Sequence, residues 1–250
     1  MLLAIAASAV VWMRMARKDS RLPWIYLAGL IAAFAGSKVV YLLAEGWRDL
    51  GDPHWLIRWA TGKTILGGLL AGYAGVEYAK KAIGYREPTG DRFAVVVPLG
   101  IGLGRVGCLV HGCCLGQPCA PAMWTVTDAR GVARWPAVPL EIAFNVGMAL
   151  VLAGLQRAGR FRHQSFHLYL MAYGVFRFLH EFVRDTPRIV GPFSGYHLAA
   201  AAVAILGGIR YRQRQRGEMG APSSCQPSSR DTESAPSEKS PYRHGRRTDR

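Results

Sequence analysis

Charged side chains stand inside apolar stretches of this sequence, where each needs a polar partner or an internal cavity. Arg105 follows a long apolar run and is flanked by Gly104 and Gly107. A guanidinium presents a planar fork of donors that suits a phosphate, and bare glycine backbone lets a lipid headgroup approach closely. The pattern favours an anion site at Arg105, with a structural ion pair to Glu141 as the alternative.

A second set of charges lies in an aromatic segment nearer the C-terminus. Arg177, Glu181 and Arg184 are spaced four and three residues apart, so they share one helical face. Arg177 and Glu181 can neutralise each other, and a paired arginine still keeps donors for an anionic ligand. Upstream, Lys38 and Tyr41 also share a face, and Lys38 either joins a polar interior or snorkels from a helix end.

Four of the five cysteines are gathered in one short region, at Cys108, Cys113, Cys114 and Cys119. A disulfide of Cys119 with Cys113 or Cys114, in an oxidising compartment, is the interpretation we favour. A metal site is the second, although the spacing lacks the usual C-x-x-C pair. A nucleophilic or lipid-accepting thiol, with His111 or Lys63 as its base, is the third, and inert packing is the fourth. We predict no cofactor and no resident metal.

The elements that must position these residues are apolar blocks separated by short basic stretches. A helix that spans a bilayer needs roughly 17–25 mostly apolar residues. We therefore expect spans near residues 1–13, 22–45, 65–79, 93–115, 138–156, 164–183 and 193–209. The first is short, and a signal peptide or a start codon set too far downstream would also explain it. Gly67, Gly68 and Gly72, and Gly100 with Gly104, predict close helix packing.

The placement of Lys and Arg predicts an orientation. One set of alternate loops carries fifteen of these residues and the other carries seven. The basic-rich side should be cytoplasmic, so the N-terminus lies outside and the C-terminus inside, which requires an odd number of spans. We expect an all-α bundle of about seven transmembrane helices over residues 1–216 and a disordered basic cytoplasmic tail over 217–250. The net charge of +15 fits this topology and the anionic lipid surface better than a nucleic-acid partner.

Taken in order, these segments resemble the prolipoprotein diacylglyceryl transferase family over about residues 30–205. Residues 104–116, GRVGCLVHGCCLG, are similar to its signature Gly-Arg-x-Gly-Asn-Phe-x-Asn-x-Glu-x-x-Gly. Residues 173–184, YGVFRFLHEFVR, are similar to its Tyr-Gly-x-Phe-Arg-x-x-x-Glu-x-x-Arg. Weaker matches are residues 136–141, the pair Lys38 and Tyr41, and Leu66-Gly67-Gly68.

The resemblance implies a seven-helix enzyme of the bacterial inner membrane. Such an enzyme moves the diacylglyceryl group of phosphatidylglycerol onto the lipobox cysteine of a preprolipoprotein and releases glycerol phosphate. It implies that Arg105 and Arg177 bind the phosphate, where charge builds as the bond breaks, and that Glu181 orients Arg177. The other residues expected to bind substrate are Gly104, Gly107, Lys38, Tyr41, Glu141 and Arg184. The expected partners are phosphatidylglycerol or a similar anionic phospholipid, preprolipoproteins and the membrane itself.

The family's thiol-activating residues are replaced here. The histidine of its His-Gly-Gly motif is Leu66, and the two asparagines and the glutamate of its signature are Cys108, His111 and Cys113. Phosphate recognition is therefore better preserved than thiol activation, and His111 is the replacement base on position. Two alternatives remain at this point: a related lipid-modifying enzyme with a different acceptor, and a non-enzymatic lipid-binding membrane protein.

Overall fold

The computed structural model describes residues 13–14, 16–17 and 19–219, and this part of the chain is mostly helical. Its α-helices are α1 (Leu22–Ala44), α2 (Trp55–Thr61), α3 (Ile65–Ile83), α4 (Gly90–Val110), α5 (Ala137–Arg157), α6 (Ser165–His180) and α7 (Gly195–Met219). Two short 3-10 turns, Gly46–Gly51 and Glu181–Val183, follow α1 and α6. Between α4 and α5, β1 (Val126–Thr127) pairs antiparallel with β2 (Ala133–Arg134).

The long helices overlap six of the expected spans. Within the described residues, α1, α4 and α5 are long and apolar enough to cross a membrane. The helix α6 has only 16 residues before its 3-10 turn, and α3 carries Glu77, Lys80 and Lys81. The expected span 1–13 lies outside the described residues except for Met13. The structure thus supports a helical membrane protein, while the count of about seven spans and the orientation stay predictions.

The last helix continues further than its apolar stretch. Helix α7 ends at Met219, ten residues beyond the expected span end at 209. Its final turns are rich in Arg and Gln, which are good helix formers although they are not apolar. The helix therefore also passes the expected start of the tail at residue 217, and residues 220–250 lie outside the described part of the chain.

Small residues bring several helices close together. A Cβ added at Gly67 of α3 would lie 2.7 Å from a valine side chain of α1, and one at Gly174 of α6 would lie 2.5 Å from the α7 backbone. The packing expected at Gly67 is therefore confirmed. The packing expected at Gly100 and Gly104 is wrong, because a Cβ at either would meet no atom within 4 Å.

Burial in this structure is the reverse of that in a water-soluble protein. Large apolar side chains point outward along the helices, among them Leu43, Leu150 and Leu198, each 70–78% exposed. Charged side chains are buried instead, including Glu141 and Glu181 at 0%. An apolar exterior around a charged interior is the arrangement that a lipid environment favours.

Candidate active site: a buried cluster of arginines and glutamates

Two ion pairs meet where α4, α5 and α6 come together. Arg105 near the end of α4 places Nε 2.9 Å from Oε2 of Glu141, in the first turns of α5. Arg177 in the last turn of α6 places Nη1 2.7 Å from Oε2 of Glu181, just after that helix. Both pairs are buried. The ion pairing considered from the sequence is present at both arginines, so any anion binding here must share them with carboxylates.

Arg184 joins the two pairs into one cluster. Its Nη1 lies 3.8 Å from Glu141 Oε2, and its Nε lies 3.8 Å from Glu181 Oε2. Three guanidinium groups thus face two carboxylates, which leaves one positive charge in excess. Within the described part of the chain, Arg105 Nε and the Nε and Nη1 of Arg184 are buried without a hydrogen bond of good geometry. Because an uncompensated buried charge is costly, this cluster favours binding of an anion.

Hydroxyl groups that the sequence analysis did not single out hold the two carboxylates. Tyr173 donates to Glu141 Oε1 at 2.8 Å. Thr186 and Ser194 donate to Glu181 Oε1 at 2.6 and 3.2 Å. Tyr173 was detectable from the sequence, because it precedes Arg177 by four residues and shares its helical face. Thr186 and Ser194 come from the loop between α6 and α7, where no periodicity marks them.

The glycines that flank Arg105 are open. Gly104 and Gly107 lie three residues apart on α4 and are exposed, and a Cβ at either position would meet nothing within 4 Å. No protein side chain therefore covers the backbone there, in the part of the chain described. The open backbone at these two glycines is compatible with the expected approach of a lipid headgroup, and that approach stays a prediction.

The connection after α4 is folded against the end of α6. The expected helix 93–115 ends instead at Val110, because Gly112 and Cys114 adopt positive φ angles of 63° and 61°. The chain then pairs with the residues around Arg184: Gln117 N donates to the Val183 carbonyl at 2.9 Å. This connection therefore holds the cysteine region beside the arginine–glutamate cluster.

Three of the four clustered cysteines come together. The Sγ atoms of Cys108 and Cys114 are 4.0 Å apart, and those of Cys108, Cys113 and Cys114 all lie within 4.8 Å of one another. Arg105 Nη1 lies 3.8 Å from Cys108 Sγ, so this thiol group adjoins the ionic cluster. Cys119 is not a member of the group, and all four thiols are free. The expected disulfide to Cys119 is therefore not present, and the structure groups Cys108 with Cys113 and Cys114 instead.

Lys38 and Tyr41 make other contacts. Lys38 Nζ donates to the carbonyls of Trp59, at 2.6 Å, and Ala60, at the end of α2. Tyr41 donates to Asp49 Oδ2 at 2.7 Å. Lys38 therefore completes a helix C-terminus, where a cation is favourable. These contacts tie α1 to the segment that follows it, and they do not join the arginine–glutamate cluster.

The candidate bases lie apart from the thiols. His111 is exposed at the end of α4, and Lys63 Nζ lies 5.5 Å over the ring of Phe34. Leu66, which replaces the family's histidine, is fully buried in the apolar core. Among the described residues, neither His111 nor Lys63 belongs to the close thiol group. Arg105, whose Nη1 lies 3.8 Å from Cys108 Sγ, is a charged neighbour of the thiols instead.

Two cavities flank these groups. The larger, of about 430 Å³, lies among α1, α3, α4 and α6; its lining is mostly apolar and includes Lys63 but no residue of the ionic cluster. The smaller, of about 100 Å³, is lined by Cys108, Cys113 and Trp135 among others. The larger is suited to apolar chains and the smaller opens directly onto the thiols.

A surface ionic network braces the loop beside the site. Arg134 at the end of β2 contacts Asp128 Oδ2 at 2.6 Å and Asp185 Oδ2 at 2.9 Å. The hydrogen bond from Arg134 lowers the pKa of Asp128, with help from the backbone N–H of Val132. Since Asp185 directly follows Arg184, the network links the hairpin to the ionic cluster.

An apolar exterior around a buried cluster of arginines and glutamates defines a helical membrane protein with an internal charged site. Comparison with known families matches residues 1–211 to the family described as prolipoprotein diacylglyceryl transferase. The chain belongs to this family.

Named relatives agree with the family match. The chain is 31% identical over 178 residues to the phosphatidylglycerol–prolipoprotein diacylglyceryl transferase of Vibrio vulnificus, covering 69% of this chain and 65% of that protein. It is 26% identical over 168 residues to the second such transferase of Clostridium perfringens, covering 64% and 65%. It is 29% identical over 213 residues to that of Pseudoalteromonas atlantica, covering 78% and 76%. The chain thus matches 65% of the length of the first two relatives.

Proposed function

We propose that this chain transfers the diacylglyceryl group of phosphatidylglycerol to the lipobox cysteine of preprolipoproteins in the bacterial inner membrane. The observation that supports this most directly is one excess positive charge in the buried cluster, which contains three arginines and two glutamates: Arg105, Arg177, Arg184, Glu141 and Glu181. A phosphodiester headgroup carries one negative charge and would balance it. The names of the relatives supply the donor and the acceptor.

The geometry supports a division of roles within the cluster. Arg105 lies beside the open glycines and binds the phosphate as it enters. Arg177, held 2.7 Å from Glu181, is fixed by that carboxylate and meets the charge that builds on the departing glycerol phosphate. Arg184 stands 3.8 Å from both carboxylates and has buried donors free for the same phosphate. Oriented donors of this kind stabilise charge without reorganising.

The apolar cavity supports a lipid donor as well. At about 430 Å³ it has room for acyl-chain segments, and its lining is mostly apolar, although the charged Glu77, Lys80 and Arg214 also line it. Under this proposal the N-terminus lies outside, and the ionic cluster lies toward the outer face, where preprolipoproteins present their lipobox.

The burial of Leu66 favours one alternative. The family's histidine is absent, and the leucine in its place packs in the core with no exposed surface. An enzyme that uses the same anionic donor but a different acceptor, activated in another way, is therefore the second candidate.

Restoring the growth of cells depleted of their own transferase tests the proposal directly. The wild-type chain should restore growth, and Arg105→Ala should lower turnover of phosphatidylglycerol by roughly 10²–10³-fold, as removal of one transition-state donor does elsewhere. Arg130→Ala is the matched control, because Arg130 is exposed in the β1–β2 turn and its side chain is outside the cluster. Lipid turnover without rescue would select the second candidate. No turnover of any lipid would reject both and leave a lipid-binding protein.

A further inference from the structure

The thiol group of Cys108, Cys113 and Cys114 has the dimensions of a metal site. Each Zn–S bond is about 2.3 Å, so two sulfurs on one tetrahedral Zn²⁺ lie about 3.8 Å apart. Cys108 Sγ and Cys114 Sγ are 4.0 Å apart, and all three sulfurs lie within 4.8 Å of one another. Small side-chain rotations bring all three onto a common ion. This fit comes from the distances between the sulfur atoms, so the lack of a C-x-x-C pair in the sequence does not argue against a metal site.

The surroundings of the thiols suit such a site electrostatically. Three thiolates on Zn²⁺ carry one net negative charge, and Arg105 Nη1 stands 3.8 Å from Cys108 Sγ. A cationic neighbour favours thiolates over thiols, which is the form that binds metal.

The fourth coordination position is open. Neither His111 nor Cys119 belongs to the close group, within the described part of the chain. A cavity of about 100 Å³ is lined by Cys108 and Cys113, two of the three proposed ligands. Three protein ligands with a vacant fourth position are typical of catalytic zinc, whereas structural zinc is closed by four.

We propose that Cys108, Cys113 and Cys114 bind Zn²⁺ and that the open position takes the thiol of the acceptor. This inference rests on the proposed function and departs from the expectation of no resident metal. The ion would deprotonate the acceptor thiol, which is the role lost where Leu66 replaces the family's histidine, because a thiol that coordinates zinc is deprotonated outright. No base is then needed at the position of Leu66.

The transfer step balances without a redox partner. The lipobox thiol binds Zn²⁺ as thiolate and releases its proton to water. The sulfur then attacks the glyceryl carbon that carries the phosphate ester: a C–S bond forms and the C–O bond breaks. The electron pair leaves on an oxygen of glycerol phosphate, beside Arg105 and Arg177. Arg105 contacts Cys108 of the thiol group and Glu141 of the ionic cluster. The sulfur nucleophile and the phosphate leaving group are therefore held on neighbouring sides of this arginine.

Metal binding is measured on the purified, reduced full chain in lipid nanodiscs, with Zn²⁺ and Co²⁺ as probes. Wild type should bind one ion, and its Co²⁺ form should show thiolate charge-transfer bands and tetrahedral d–d bands. Loss of a residue that only hydrogen-bonds to a metal ligand lowers metal affinity by roughly 10–100-fold. Because Cys114 would be a ligand itself, Cys114→Ser should weaken binding by at least that factor. Cys119→Ser is the matched control and should bind as wild type does, because Cys119 is outside the group. Equal binding by the triple Cys108→Ser, Cys113→Ser, Cys114→Ser variant would overturn the site.

The role of the ion has its own readout. A lipobox peptide should change the Co²⁺ d–d bands, and the same peptide with Ser in place of Cys should not. Binding of metal without transfer of a diacylglyceryl group would keep the site and reject the proposed function. Transfer that survives both chelation and the triple variant would keep the function and reject the zinc role. A Cys108–Cys114 disulfide would also reject the zinc role. It would be seen in chain alkylated directly in native membranes as two cysteines that escape alkylation and together lack two hydrogen atoms.

Discussion

Replacing Glu181 by Gln tests whether the buried charges depend on one another. Glu181 accepts from Thr186 at 2.6 Å and Ser194 at 3.2 Å, and its Oε2 lies 2.7 Å from Arg177 and 3.8 Å from Arg184. Glutamine keeps the shape but removes the charge, so the cluster's excess rises from one positive charge to two. Removing one partner of a buried ion pair costs about 3–5 kcal/mol.

Thermal unfolding of the purified protein in detergent measures this cost. For a chain of this size each kcal/mol corresponds to roughly 2–4 °C, so Tm should fall by about 6–20 °C. Asp52→Asn is the matched control: Asp52 Oδ2 lies 2.7 Å from Arg58 Nη2, but the two side chains are 27% and 56% exposed. A partly exposed pair contributes about 1 kcal/mol or less, so Tm should fall by less than about 4 °C. Equal shifts for the two variants would refute the interdependence of the buried charges.

Three further outcomes follow from single contacts. Tyr173→Phe removes the hydroxyl 2.8 Å from Glu141 and should destabilise the protein by about 1.5–3 kcal/mol, and an unchanged Tm would contradict that role. Gly174→Val puts a side chain 2.5 Å from the α7 backbone and should cost about 1–3 kcal/mol or more, whereas Gly100→Ala meets nothing within 4 Å and should cost little. A Tm of Gly174→Val at or above that of Gly100→Ala would contradict this. The pKa of Asp128 is lowered on folding, so its contribution to the stability of the hairpin is complete above about pH 4 and is lost as pH falls through the folded-state pKa. Hydrogen exchange in β1 and β2 should rise in that pH range, and Asp128→Asn should remove the pH dependence.

The fold follows from the sequence where lipid contact and helix formation coincide. The apolar blocks near 22–45 and 138–156 became α1 and α5 almost as expected, because hydropathy reports a face turned toward lipid. It reports nothing about a polar helix that continues beyond the apolar region, which is why α7 runs to Met219. It also misses a stop caused by backbone angles, as at Gly112 and Cys114, where the chain turns although its residues are still apolar enough for a helix.

The contacts of the site, too, could be predicted from the sequence only in part. The pair of Arg177 and Glu181 is local, four residues apart on one helix, and the sequence shows it. The pair of Arg105 and Glu141 was considered as an alternative, but spacing cannot decide between partners on different helices. The contacts of Arg184 with both carboxylates depend on how the chain leaves α6, and no periodic pattern encodes that path.

The three-cysteine group lies where this chain departs from the family signature. Where the family has Asn, Asn and Glu, this chain has Cys108, His111 and Cys113, and the turn at Gly112 brings two of these together with Cys114 rather than leaving them spread along a helix. Burying five charged residues costs stability that an apolar core would not, and buried charges of this kind usually mark a functional site. Under the two proposals, the phosphate is bound by the arginines, and activation of the thiol moves from the family's histidine to a zinc site that contacts Arg105.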